Sequence, residues 1–137
     1  MKKLMMNIRK SNKADSGTTN NIFISDNLYF DGDKEKVNDL IKNFTSKVIT
    51  KKYYLVCFLD DESKPVIMPS NMLHNKHYQN KRVEITGLFS NEDDAYEYIR
   101  CIVSLSYRKF SDLDFRKTIE TFDPDDVSNL FYNEENL

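Results

Sequence analysis

Few residues in this chain have the types and spacing that chemistry requires. Asp60, Asp61 and Glu62 follow an apolar run, and Glu84 sits second in a later one. Carboxylates at strand ends hold Mg²⁺ in metal-dependent hydrolysis and phosphoryl transfer. A nuclease of that kind also wants a lysine two residues beyond an acid on a following strand. In Glu84-Ile85-Thr86 that place holds threonine, so residues 60–62 read as a solvated hairpin turn. His74 and His77 are spaced for one helix face, but a metal centre needs three or four ligands and no cysteine lies near them. Cys57 and Cys101 both fall in apolar runs, which reads as two buried, reduced thiols rather than a nucleophile or a disulfide. Gly17, Gly32 and Gly87 are isolated, so no glycine-rich phosphate cradle forms. The calcium-loop spacing of Asp31, Asp33 and Glu35 fails at Lys36 and Lys42, where glycine and glutamate are required. An enzyme would have to gather Asp60, Asp61, Glu84 and His77. The reading leans away from catalysis and expects no metal and no cofactor.

Charge is the stronger signal. Residues 1–14 carry five cations (Lys2, Lys3, Arg9, Lys10, Lys13) and no acid, whereas residues 112–137 carry eight acids against Arg116 and Lys117. The net charge of −2 conceals this sorting. Blocks of like charge at chain ends act as interaction arms or tails. The acidic end interleaves its carboxylates with apolar residues. It therefore reads as a recognition surface for a protein partner, with Leu130, Phe131 and Tyr132 as anchors and Asp125, Asp126, Glu134 and Glu135 as steering charges. The alternative is nucleic-acid binding through the basic arm and the loop 76–82. There Lys76, His77, Lys81 and Arg82 would meet phosphates and Tyr78 would stack on a base. The pI of about 5.7 and the lack of a helix-turn-helix or RNP-like pattern stand against it.

The elements that would position these residues follow from periodicity. Residues 22–30 alternate as a strand, with a break at Asp26-Asn27. Asp33 caps a helix whose stripe is Val37, Leu40, Ile41, Phe44 and Val48. The continuous run of residues 51–59 predicts a central strand covered on both sides, returning through 65–68. Residues 83–89 form another strand. Ser90 is then expected to cap a helix that buries Ala95, Ile99, Ile102, Val103 and Phe110. Ser111 would begin a second helix with Phe115, Ile119 and Phe122 on one side, and Asp123-Pro124 a third.

The expectation is a single small α+β domain with a mixed, mainly antiparallel sheet of about four strands, two to three helices and a helical C-terminus. Residues 1–20 form a basic arm or short strand, 21–122 the globular domain and 123–137 an acidic helix or tail. Both long helices are expected on one face of the sheet. No apolar run reaches the length of a membrane span, and the start is too broken for a signal peptide. A cytoplasmic binding or regulatory protein is the expected class, with homo-oligomerisation open. The excess of Lys over Arg and the many Asn fit an AT-rich genome, as in a phage or other mobile element.

Overall fold

In a computed structural model, residues 21–46 and 51–132 are described. The basic arm, Val48, Glu134 and Glu135 lie outside them. Four strands, β1 (Ile22–Phe30), β2 (Tyr54–Leu59), β3 (Val66–Pro69) and β4 (Val83–Phe89), form one sheet in the order β1-β4-β2-β3. β1 runs parallel to β4, and the β4–β2 and β2–β3 pairings are antiparallel. The α+β class and the mixed, mainly antiparallel four-stranded sheet stand as expected. Among the described residues five α-helices accompany it: α1 (Val37–Thr45), the single turn α2 (Lys76–Gln79), α3 (Glu92–Phe110), α4 (Phe115–Thr121) and α5 (Pro124–Ser128).

The helices do not share a face. Val37, Ile41 and Phe44 of α1 pack with Leu55, Cys57, Val83 and Ile85. Ala95, Tyr98, Cys101 and Ile102 of α3 pack with Val56, Phe58 and Phe89. Alternate residues of β2 thus feed two cores, since successive side chains of a strand point to opposite faces. The unbroken apolar run of β2 required cover on both sides, and placing both helices on one side contradicted it.

Local chemistry explains where most elements start. Asp33 accepts from the Glu35 amide and opens a 3₁₀ turn (Lys34–Lys36) that leads into α1. The cap of α3 is Asn91 rather than Ser90, because the Asn91 side chain accepts from the Asp94 amide at 2.9 Å. Ser111 ends α3 rather than starting a helix: at φ 57° it is left-handed, and its amide closes onto the Tyr107 carbonyl. α4 begins after Asp114, whose carboxylate accepts from the Lys117 amide. Asp123 and Asp126 exchange side-chain and backbone bonds as a capping box, with Pro124 in the first turn of α5. The break in β1 is real. Its register with β4 slips between Ile24 and Tyr29, and there Asn27 donates to the Ile119 and Phe122 carbonyls at the end of α4.

The buried stripe of α3 also differs from the expected one. It is Ala95, Tyr98, Cys101, Ile102 and Leu105, while Ile99 and Val103 are half-buried. Leu40 is likewise half-buried. Among the described residues no helix is long and apolar enough to cross a membrane.

Candidate functional site

Two charged regions compete for the role of functional site. The first is a cleft of about 350 Å³ where β1, β4 and α4 meet, lined by Ser25, Asp26, Arg82, Glu84, Arg116 and Glu120 among others. Glu84 Oε1 lies 3.3 Å from Arg116 Nη1 and 3.5 Å from Arg82 Nη1. Arg116 stacks its guanidinium 4.2 Å above Phe58 and donates to the Glu62 carbonyl at 2.6 Å and the Asp60 carbonyl at 3.1 Å. Arg82 lies 4.5 Å over Phe23. Planar, delocalised guanidinium suits such stacking and forked donation.

The acids that an enzyme would need are therefore only partly assembled. Glu84 and the turn at Asp60 come together through Arg116, while Asp61 is exposed and His77 sits on α2 with its ring edge-on to Tyr78. A metal ion at Glu84 would have to displace a guanidinium. Among the described residues no group of three His, Cys, Asp or Glu is placed to hold a metal. Asp60 instead supports the turn: at φ 54° its carboxylate accepts from the Arg82 amide at 2.9 Å. The cleft reads as a clamp that ties α4 to the β2–β3 turn.

The basic loop is similarly committed to structure. Lys81 Nζ lies 3.8 Å from Asp60 Oδ2, and Arg82 is paired and stacked as above. Tyr78 packs on the first core, and the Tyr78 and Lys81 carbonyls accept from Asn21 Nδ2 at 2.7 and 2.6 Å. Lys76 and His77 are exposed. Cys57 and Cys101 lie in the two different cores, with the sheet between them. Burial pushes the Cys57 thiol up to about 12 and the Cys101 thiol up to about 11. Because the thiolate is the reactive form, both should resist an aromatic disulfide reagent at neutral pH and react only on unfolding. Stoichiometric labelling of either thiol in the native protein would contradict this placement.

The second region joins the first half of α3 to residues 130–132. Leu130 is buried in the second core, and Phe131 stacks on Tyr29 with centroids 5.1 Å apart. Leu130 is thus spent inside the protein, whereas Phe131 stays half-buried at the edge of the core. Tyr132 faces solvent at 63% exposure, and Asp125 and Asp126 are exposed. Its phenol donates to Asp94 at 2.5 Å and its amide to Glu97 at 2.6 Å. Glu97 is ion-paired with Arg100, which also donates to the Leu130 carbonyl at 2.7 Å. Asp94, Glu97 and Arg100 were invisible as site residues, because only the fold brings them to a segment thirty or more positions away.

The electrostatics follow from these contacts. The hydrogen bond from Arg100 is the main cause holding the Glu97 carboxyl below its usual range, helped by the Tyr132 amide. Donation to Asp94 is the main cause raising the Tyr132 phenol to about 12. A carboxyl lowered by folding stabilises the native state above its unfolded value of 4.5 and loses that contribution as pH falls through the lowered one. Glu97→Gln should therefore reduce stability at pH 7 and flatten its decline below pH 4.5, read by urea titration at several pH values. An unchanged pH profile would remove Glu97 from the acid response.

No family model, curated protein or solved structure matches the chain.

Proposed function

We propose that this chain is a non-catalytic binding protein that acts through a protein partner, with the acidic surface around Tyr132 as its recognition patch. The observation that carries the reading is an exposed tyrosine hydrogen-bonded to Asp94 and Glu97, with Asp93 close enough to act on it electrostatically. An aromatic ring held in place by its own polar end offers contact area at low entropic cost, and aromatic residues are enriched at interfaces. Surrounding carboxylates, joined by Asp125 and Asp126 on α5, steer a basic partner segment toward it. The cytoplasm is the compartment we propose, and a regulatory role in a mobile element is the setting that composition favours.

The test uses the full chain as bait in matched lysates, one treated with nuclease. A partner held in both lysates by the wild type, and lost with Tyr132→Ala or Asp125→Asn/Asp126→Asn, supports the reading. Capture that disappears on nuclease treatment would transfer the function to nucleic acid. Retention by the variants would move recognition off this surface.

A further inference from the structure

α3 carries a second stripe. At about 100° per residue, Tyr96, Val103 and Tyr107 fall together, away from Tyr98, Ile102 and Leu105, with Ile99 on one flank and Arg100, folded onto Glu97 and the Leu130 carbonyl, on the other. Tyr96 is 59% exposed and Tyr107 53%, while Ile99 and Val103 are half-buried. Neighbouring elements take up the other sides of the helix. The sheet covers its buried stripe, α4 approaches through Ser106, which bonds the 112–114 loop, and the 130–132 segment binds Asp94, Glu97 and Arg100. Two large aromatic rings about 16 Å apart along one helix thus remain in solvent.

We propose that this stripe is a self-association surface, on which a second copy lays its own α3 antiparallel across the first. The pattern along the helix identifies the occupant. Tyr96 and Tyr107 are placed nearly symmetrically about the middle of Glu92–Phe110, so a two-fold axis there brings each Tyr96 to the Tyr107 of the other copy. Self-complementarity of one patch is what a two-fold contact demands. Charge points the same way. The first turn of α3 is acidic, with Glu92, Asp93 and Asp94, and the last is basic, with Arg108 and Lys109. Antiparallel crossing sets each acidic end against a basic one, and Asp93 and the long Arg108 side chain lie toward the same side of the stripe, where such an axis brings them near each other. Parallel crossing would instead set like charges together. A contact limited to one face of one helix falls below the roughly 1,200 Å² typical of a stable complex, so the dimer is weak and concentration-dependent.

Sedimentation velocity of the full chain should show a monomer passing to a dimer as concentration rises from about 1 to about 500 μM. Tyr96→Glu and Tyr107→Glu should each weaken dimerisation at least about tenfold, and circular dichroism should stay unchanged because both side chains are exposed. Asp93→Arg and Arg108→Asp should each weaken it, and the two together should restore it. A monomer throughout the range, or a dimer indifferent to the tyrosine substitutions, would overturn the proposal. Failure of the paired charge swap to restore association would overturn the antiparallel arrangement.

Discussion

Removing residues 123–137 is expected to destabilise the domain by about 3–6 kcal/mol rather than to release a dispensable tail. The acidic composition of this end points to a solvated segment, but two of its apolar residues are spent inside the protein. Val127 and Leu130 are only 2% and 5% exposed in the second core. Fully burying such a side chain contributes about 1.5–3 kcal/mol, which sets the range. Truncation also takes away the Leu130 carbonyl that receives Arg100 and the amide that binds Glu97. Set against a total stability of about 5–15 kcal/mol for a domain of this size, the loss is large. Urea unfolding of residues 1–122 should show a much lower midpoint. A midpoint equal to that of the full chain would make the segment detachable after all.

Several local steps of this fold were legible because they depend on near neighbours, although the cap of α3 fell at Asn91 and Ser111 closed that helix instead of opening the next. The caps at Asp33 and Asp123, the turn after Leu59 and the break at Asp26-Asn27 each follow from side chains within a few positions. The long apolar run of β2 announced a strand buried on both faces. What the sequence hid was the rotation of α3. The apolar residues Ile99, Val103 and Phe110 suggested one stripe, but the sheet takes Tyr98, Cys101 and Leu105 and leaves those three half-buried. Tyrosine at a helical position does not say whether it faces core or solvent, and Tyr98 and Tyr96 take opposite answers. The contacts of the basic loop were hidden for a related reason: Lys81 and Arg82 lie among polar residues in sequence, yet the turn at Asp60 and the ring of Phe23 receive them in space. Arg116 belongs to an acidic stretch and spends its charge on Glu84, thirty-two positions earlier. Such pairings are products of topology.

Ile41→Ala and Ile102→Ala should each cost about 2–5 kcal/mol, and their effects should add. Both side chains are 1% exposed, so each truncation removes buried methyl groups and leaves a cavity that a close-packed core closes only in part. Additivity tests the architecture itself. Ile41 sits in the core beneath α1 and Ile102 in the core beneath α3, with the full thickness of the sheet between them. Side chains without shared partners at such separation couple by less than about 0.5 kcal/mol, whereas neighbours in one core couple by 0.5–3 kcal/mol in roughly either sense. The sum of two alanine truncations approaches the whole stability of the domain, so the double variant would not hold a measurable native state. Ile41→Val and Ile102→Val, each expected to cost about 0.5–1.5 kcal/mol, keep the cycle within range. Equilibrium unfolding of the wild type, both singles and the double should then close to within about 0.5 kcal/mol. A coupling energy well above that would mean that the two helices share a core on one side of the sheet.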